Sequence, residues 1–245
     1  TMSGDNWRLD GHYALVTGAS RGIGAAVATS LAERGAGVHL AARGGYELEQ
    51  TAARLREQYP GVPVTHTTCD VTRKDDRERL LEAVRACAGE LHILVNNVGT
   101  NQRRPVLDYS EAQYRAIMTT NLDSCFELSR LCHPLLAAAD GAAVVNIASV
   151  AGLTHLRTGA PYAMSKAAMI QLTRNLAVEW AGDGIRVNAI APWYIDTPLA
   201  RQVLDDDDYR RQVLERTPMG RIGESAEIGD VAAFLCLPAA GYVTG

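Results

Sequence analysis

The sequence predicts a doubly wound α/β fold, in which helices cover both faces of a parallel sheet within a single domain. Short runs rich in Val, Ile and Leu recur along the chain and are typical of buried parallel strands. Longer segments of helical period separate them, and regular alternation of strand and helix indicates a doubly wound sheet. With 245 residues, of which 47% are hydrophobic, the chain is long enough to bury one large core.

The elements follow one another without a linker or an internal repeat. The predicted strands are 12–17, 37–42, 62–68, 93–96, 142–148 and 185–190. The predicted helices are 22–34, 45–58, 74–88, 111–138 and 162–181. The acidic run 205–208 is predicted to begin a solvated helix. We expect one domain over residues 1–245, with a mobile lid at about 193–217, because long excursions at the rim of such a sheet commonly move.

Composition excludes several classes of function. A formal net charge of −4 gives no general attraction for nucleic acid or anionic membrane surfaces. No run approaches the roughly 18 apolar residues of a membrane span, and the polar start lacks a signal peptide, so we expect a cytoplasmic protein. Five cysteines without a Cys-x-x-Cys pair indicate buried free thiols. The six histidines show no metal-ligand spacing, and we predict no metal site.

Three glycines stand where the first predicted strand ends and a helix begins. Gly18, Gly22 and Gly24 let the backbone bend sharply and approach a pyrophosphate, whose charge would rest at the helix N-terminus. The intervening residues Ser20, Arg21 and Ile23 would share this contact. The alternative is a plain turn, and the position after the first strand favours the nucleotide site.

The end of the second strand indicates which dinucleotide binds. Sites for NAD usually carry Asp or Glu there, whereas this chain has Ala41, Ala42 and Arg43. The planar donors of Arg43 match the oxygens of a 2′-phosphate, and Arg21 would add a second charge. The alternative for each arginine is a solvated surface charge. Together with the missing acid, these residues predict NADP(H).

Tyr162 and Lys166 lie four residues apart and share one face of a predicted helix. An ammonium at about 4 Å contributes on the order of 4 kcal/mol to a phenolate at an effective dielectric of about 20. We therefore expect Lys166 to lower the pKa of Tyr162 and make it a general acid and base. The alternative is a helical tyrosine beside a solvent-facing lysine. Against it, Lys74 and Lys166 are the only lysines of the chain.

Ser149 follows a buried strand and is placed by it at the same carboxyl edge of the sheet. Its hydroxyl would hold a substrate oxygen in line with Tyr162. The alternative is a serine that caps the following turn. No Gly-x-Ser-x-Gly motif surrounds it, which argues against a hydrolase nucleophile.

With these residues assembled, the chain resembles the short-chain dehydrogenase/reductase family, whose fold is Rossmann-like, and within it the tropinone reductase-like branch. The resemblance runs from Leu9 to Gly245, and its motifs occur in family order. Besides the glycine turn, they are the pair Asp70-Val71, the segment 96–99, Asn121, Ser149, and Tyr162 with Lys166. The segment 192–195 points to the branch, although Trp193 stands where many members have glycine.

The resemblance implies roles for further residues. Asp70 and Val71 would bind the adenine, Asn97 and Gly99 would line the adenosine pocket, and Asn121 would hold a water that relays protons to Lys166. Lys166 would also reach the ribose. Pro192, Ile195 and Thr197 would contact the nicotinamide. The implied reaction interconverts a ketone and a secondary alcohol with NADP(H).

Substrate and assembly follow less directly. Apolar side chains in the lid and on the facing loop indicate a medium-sized, largely apolar or cyclic carbonyl compound, although these side chains equally suit packing of the lid onto the body. The candidate substrate contacts are His155, Leu156, Trp193, Tyr194 and Leu199. By resemblance we expect a homo-oligomer, a tetramer or dimer packed through helices 111–138 and 162–181, and a chain that continues past Gly245 into a last strand.

Two other functions fit the same residues. One is an NAD-linked alcohol or sugar dehydrogenase that works in the oxidative direction, which relative affinity for NADPH and NADH distinguishes. The other is a non-enzymatic dinucleotide sensor. Such proteins commonly lose the tyrosine or lysine, and this chain keeps both Tyr162 and Lys166.

Overall fold

Six parallel strands form one sheet in a computed structural model that describes residues 5–157 and 159–245. They are β1 (Tyr13–Thr17), β2 (Gly37–Ala42), β3 (Val64–Thr68), β4 (Ile93–Asn96), β5 (Ala142–Ile147) and β6 (Ile185–Ile190). Their order is β3-β2-β1-β4-β5-β6, so strand addition reverses between β1 and β4. This confirms the predicted fold class and places a crevice at the carboxyl ends of β1 and β4. Residues 1–4 and 158 of the predicted domain lie outside the described residues.

Nine α-helices accompany the sheet in the described residues. They are α1 (Gly22–Glu33), α2 (Gly45–Gln58), α3 (Lys74–Ala88), α4 (Glu111–Met118), α5 (Ser124–Ala138), α6 (Ala160–Glu179), α7 (Pro198–Leu204), α8 (Asp207–Glu215) and α9 (Ser225–Cys236). Alternate strand residues face opposite layers: Val16 packs with α1, α2 and α9, whereas Leu15 packs with α3, α5 and α6. Both faces of the sheet are therefore buried, as a parallel sheet requires.

Two features of the helices differ from the sequence-based expectation. The predicted helix 111–138 is interrupted at Thr119–Asp123, where the backbone makes one π-helical turn between α4 and α5. Helix α9 was not predicted, and it lies closely against α1 because Gly229 has no side chain. A Cβ at Gly229 would lie 2.8 Å from the carbonyl oxygen of Ala26.

The acidic run does begin a helix, as predicted. Asp206 caps α8, its carboxylate accepting a hydrogen bond from the N–H of Tyr209 at 2.8 Å. Asp207 and Asp208 lie in the first turn, where negative charge is favourable beside the unpaired N–H groups.

The cysteines are free thiols, but one of them is not buried. Burial raises the pKa values of the Cys69, Cys125, Cys132 and Cys236 thiols to about 12. Cys87, near the end of α3, is exposed, which corrects the expectation of a fully buried set. None of the helices described here is both long and apolar enough to span a membrane.

Candidate active site

A cavity of about 390 Å³ opens at the carboxyl edge of the sheet and gathers most of the predicted site residues. The predicted residues that line it are Arg21, Gly22, Ile23, Arg43, Asn97, Gly99, Ser149, Leu156, Tyr162, Lys166, Pro192, Trp193, Tyr194, Ile195, Thr197 and Leu199. The predicted residues that do not line it are Gly18, Ser20, Gly24, Asp70, Val71, Asn121 and His155.

The glycine turn between β1 and α1 is held by its own backbone and by Asn97. Gly18 has φ +63°, a conformation that favours glycine. A Cβ at Gly24 would overlap the carbonyl oxygen of Gly18 and lie 2.5 Å from Nδ2 of Asn97. That amide donates hydrogen bonds to the carbonyl oxygens of Thr17 and Gly18, at 3.0 and 3.2 Å. Gly18 and Gly24 thus shape the turn from behind, while Gly22 faces the cavity.

Two arginines stand at the end of the cavity that the glycine turn forms. Arg43 follows β2 and is exposed at the rim. The guanidinium of Arg21 lies 3.4 Å from the carboxylate of Glu47 in the first turn of α2, and both side chains are exposed. An exposed pair of this kind is weak, so Arg21 remains available to an incoming phosphate.

Asp70 and Val71 follow the end of β3 and do not line the cavity. One oxygen of the Asp70 carboxylate accepts hydrogen bonds from the N–H and the hydroxyl of Thr72, at 3.0 and 2.7 Å. Val71 is buried in the core beneath the sheet. Asp70 and Val71 both stay predictions as adenine contacts.

Ser149 lies where β5 ends. Its hydroxyl accepts a hydrogen bond from the N–H of Ala151 at 3.1 Å and so begins the short helical turn Val150–Gly152. The same hydroxyl lowers the pKa of Tyr162 through a hydrogen bond. The structure therefore shows Ser149 capping the turn. Its role in holding a substrate oxygen stays a prediction.

Tyr162 and Lys166 project into the cavity from the first turns of α6. Lys166 is fully buried, and its Nζ donates a hydrogen bond to the carbonyl oxygen of Ile147 at 2.7 Å. The ammonium lies 5.9 Å from the centre of the Tyr162 ring. Burial lowers the pKa of Lys166 to about 8.

The electrostatics of Tyr162 differ from the sequence-based expectation. Its pKa is raised, because burial penalises the phenolate more than the Ser149 hydrogen bond and the charge of Arg103 favour it. The expected lowering by Lys166 was wrong, since that ammonium donates its hydrogen bond to the carbonyl oxygen of Ile147. A raised pKa keeps Tyr162 protonated at neutral pH, which is the form that donates a proton.

Asn121 lies in the π turn and is fully buried. Its Oδ1 accepts from the N–H of Thr100 at 2.8 Å, and its Nδ2 donates to the carbonyl oxygen of Thr100 and to the hydroxyl of Ser165. The Ser165 hydroxyl donates to the carbonyl oxygen of Tyr162 at 2.7 Å. These bonds tie the loop after β4 to the start of α6. They also occupy both polar side-chain atoms of Asn121, so the predicted water would not meet a free side-chain group.

The lid closes the opposite side of the cavity and packs on itself. Tyr194, Ala200, Leu204 and Val213 form a small buried cluster of their own. The hydroxyls of Tyr194 and Tyr209 are 2.6 Å apart, and the indole N–H of Trp193 donates to Thr217 at 3.0 Å. Trp193 and Tyr194 thus serve packing and also line the cavity.

The expected substrate contact His155 is not supported by its position. Its side chain is exposed outside the cavity, whereas the next residue, Leu156, lines it. Sequence reasoning also missed several polar lining residues. They are Thr100, Arg103, Thr120 and Gln202. The signal for Arg103 was its position soon after the motif 96–99, because that motif ends a central strand at the cavity.

Similarity to known proteins agrees with this geometry. A family profile described as enoyl-(acyl carrier protein) reductase matches residues 18–245. A tropinone reductase homolog of Arabidopsis thaliana is 49% identical over 240 residues, which cover 98% of this chain and 90% of the relative. Another tropinone reductase homolog of the same plant is 48% identical over 241 residues, which cover 98% and 91%. The chain belongs to the short-chain dehydrogenase/reductase family.

Solved structures of this short-chain dehydrogenase/reductase family superimpose closely. A gluconate 5-dehydrogenase from Burkholderia cenocepacia J2315, in complex with NADP and tartrate, is 34% identical with a TM-score of 0.92, covering 98% of this chain and 93% of that one. L-Sorbose reductase from Gluconobacter frateurii, complexed with NADPH and L-sorbose, is 29% identical with a TM-score of 0.90, covering 98% and 94%. The family and the tropinone reductase-like branch are as the sequence motifs predicted, and family members use NAD(P).

Proposed function

We propose that this chain is an NADP(H)-dependent reductase that interconverts a ketone and a secondary alcohol. One observation carries the proposal: Ser149, Tyr162 and Lys166 line the same cavity as the glycine turn and Arg43. A dinucleotide at this pocket is supported by Gly22, which lines the cavity, and by the two arginines at the glycine-turn end. The presence of both Tyr162 and Lys166 favours an enzyme over a dinucleotide sensor.

The cavity residues divide the reaction among them. A reduced nicotinamide held by this cavity would supply the hydride, with its electron pair, that the carbonyl carbon needs. Ser149 donates a hydrogen bond to the carbonyl oxygen and orients it toward Tyr162. As the carbonyl π pair moves onto that oxygen, the Tyr162 hydroxyl gives it a proton and becomes the phenolate. Lys166, held by the carbonyl oxygen of Ile147, would turn its remaining N–H groups to ribose hydroxyls.

The choice of NADP(H) rests on the end of β2. Ala41 and Ala42 provide no carboxylate for a ribose 2′-hydroxyl, and Arg43 stands exposed at the cavity rim. Two structurally similar relatives are described with NADP or NADPH. A 2′-phosphate would pair with Arg43 and draw Arg21 from its weak contact with Glu47.

The lid side of the cavity supports a medium-sized, largely apolar or cyclic ketone. Leu156, Trp193, Tyr194 and Leu199 supply apolar surface there. A second candidate is a sugar or polyol substrate, since similar structures include a gluconate 5-dehydrogenase and an L-sorbose reductase. Thr100, Thr120 and Gln202 supply the polar lining that such a substrate needs.

Tyr162→Phe tests the assignment. We expect a loss of turnover of about a thousandfold over a panel of cyclic, aliphatic and aromatic ketones, with the Kd for NADPH changed less than about threefold. Tyr46→Phe, at an exposed tyrosine on α2, is the matched control and should retain activity. Equal activity of Tyr162→Phe and wild type would refute the proposal.

We also propose a cytoplasmic homo-oligomer, a dimer or tetramer. Helices α5 and α6 leave apolar side chains such as Phe126 and Val178 exposed, as a helical interface with a second copy requires. Light scattering gives the molar mass in solution of the wild type and of Phe126→Glu. We expect an oligomeric wild type and a smaller mass for the variant, and a monomeric wild type contradicts the proposal.

A further inference from the structure

Arg103 is a cation at the substrate side of the cavity that the reaction just described does not use. It lies in the loop after β4, is half-buried, and lines the cavity together with Tyr162 and Leu199. Its Nη1 reaches the carbonyl oxygen of Leu199, at the start of α7, at 3.5 Å. Its positive charge opposes the rise that burial causes in the pKa of Tyr162 and of Tyr194.

No acidic side chain balances this charge in the part of the chain that the structure describes. Arg103 is in none of the ion pairs found there, whereas Arg21, Arg201 and Arg221 each pair with a carboxylate. Four cationic side chains line the cavity, namely Arg21, Arg43, Arg103 and Lys166, and the described lining includes no Asp or Glu.

The other three cations have partners or assigned roles. Arg21 and Arg43 stand at the glycine-turn end, and Lys166 is held by Ile147. Arg103 makes a single long hydrogen bond within the described residues, although a guanidinium carries five N–H donors. A half-buried cation with unused donors in the same cavity as Tyr162 favours an anionic ligand, because the low local dielectric strengthens the pairing.

Resting on the proposed function, we propose that Arg103 binds a carboxylate of the ketone substrate, so that the natural substrate is a keto acid rather than a neutral ketone. The planar donors of Arg103 match two carboxylate oxygens. The apolar lid residues Trp193 and Leu199 then enclose the carbon skeleton between the carboxylate and the carbonyl. Because Arg103 also contacts the carbonyl oxygen of Leu199, the same guanidinium would bind the carboxylate and the start of α7.

The test compares a charged and a neutral ketone of the same skeleton. 4-Oxocyclohexanecarboxylate and its methyl ester are reduced with NADPH by the wild type, Arg103→Gln, and Arg104→Gln, the matched control at the exposed neighbouring arginine. We expect the wild type to prefer the acid. Arg103→Gln should lose about tenfold to one-hundredfold in kcat/KM on the acid, mainly through KM, and less than about threefold on the ester. Arg104→Gln should match the wild type on both.

Two results would overturn the inference. One is a wild type that prefers the ester. The other is a loss in Arg103→Gln that is equal for acid and ester, because this would show that Arg103 acts through Tyr162 or through the lid rather than on the carboxylate. A purely structural role of Arg103 would not raise the KM for the acid alone while leaving kcat and the kinetics on the ester unchanged.

A binding measurement separates this inference from the proposed function. Cyclohexanecarboxylate and cyclohexanecarboxamide are titrated calorimetrically into the NADP⁺-saturated wild type and Arg103→Gln. Binding of the carboxylate that exceeds that of the amide and is lost in Arg103→Gln supports the inference even if no ketone is turned over, in which case only the proposed reaction fails. Equal binding of carboxylate and amide by a protein that reduces ketones overturns the inference alone.

Discussion

The glycine turn and the lid enclose the same cavity, but close backbone contacts hold the turn and side-chain packing holds the lid. In the turn, backbone atoms meet so closely that a single Cβ at Gly24 overlaps a carbonyl oxygen. In the lid, side chains form a separate cluster of Tyr194, Leu204 and Val213, joined by one phenol pair. The first arrangement admits glycine only, whereas the second accepts any set of side chains that fills the same space.

This difference indicates how one protein can keep its cofactor and change its substrate. In the proposed function the turn would contact the cofactor, which is the same in every reaction, and the geometry of the turn comes from its backbone and from Asn97. The lid would contact the substrate, which varies between reactions, and in the described residues some of its bonds to the rest of the fold are single contacts. One is the pairing of Ile195 with Gly223, and another is the contact of Arg103 with Leu199.

Gly24→Ala is the largest expected effect and tests the backbone side of the comparison. The added Cβ must displace Gly18 or Asn97, so we expect the Kd for NADPH to rise by at least about 100-fold and the free energy of unfolding to fall by about 2 kcal/mol. Calorimetric titration measures the Kd for NADPH, and urea unfolding measures the free energy of unfolding. Gly61→Ala, where a Cβ meets nothing within 4 Å, is the control. Comparable losses in both variants would break the comparison.

Lys166→Met examines charge on the cofactor side. The pKa of Lys166 is about 8 in the folded protein and 10.5 without burial, so between these values the unfolded chain holds the extra proton. The wild type therefore gains unfolding free energy as pH rises through this window, by about 2 kcal/mol between pH 7 and pH 10, and the variant lacks this gain. Urea unfolding of both proteins across that pH range measures the difference between their unfolding free energies. Taking this difference removes the contributions of the other titrating groups, which both proteins share. A difference that does not change with pH contradicts the burial of a charged lysine.

Arg43→Gln sharpens the assignment of the cofactor end. Loss of a charge-assisted pair to the 2′-phosphate should reduce the preference for NADPH over NADH by roughly tenfold to thirtyfold, with NADH affinity nearly unchanged. Steady-state kinetics with both cofactors give the ratio. Arg54→Gln, at an exposed arginine elsewhere on α2, should leave it unaltered. An unchanged ratio in Arg43→Gln would favour the NAD-linked alternative.

Tyr209→Phe has the smallest expected effect and tests the lid. Removing one hydroxyl from the pair with Tyr194 should lower the free energy of unfolding by about 1 kcal/mol and raise the KM for the ketone two- to threefold, roughly the effect of one hydrogen bond. Kinetics and NADPH titration separate the two sites, since the Kd for NADPH should stay constant. Tyr242→Phe, at a fully exposed tyrosine, is the control. A Kd that rises as much as the KM would show that lid and turn are coupled.

Sequence patterns predicted the parts of the fold that depend on local composition. The strands β2, β4 and β6 have the predicted bounds, because apolar runs end at glycine, proline or polar residues there. The predicted helix 111–138 conceals the π turn, since Thr119–Asp123 contains no glycine or proline and only the buried bonds of Asn121 mark the break. Helix α9 was missed because its contact with α1 depends on Gly229, whose role is visible only in three dimensions.

The same division applies to the site. Residues that follow directly from a strand end, such as Ser149 and Arg43, could be placed from the sequence. The electrostatics of Tyr162 could not, because they depend on where Lys166 points and on the charge of Arg103, which lies 59 positions earlier in the chain. The separation of two residues along the chain does not show that they line the same cavity; a related family or a structure is needed to show it.

The π turn also limits how this protein can change in length. A π turn contains more residues than an α turn, so α4 and α5 run out of phase with each other. Deleting one residue between Thr119 and Asp123 would restore a continuous helix and rotate everything after it by roughly a quarter turn. Asn121 would swing away from Thr100 and Ser165, and the start of α6 would lose its tie to the loop after β4. Insertions and deletions should therefore be tolerated in the lid long before they are tolerated here.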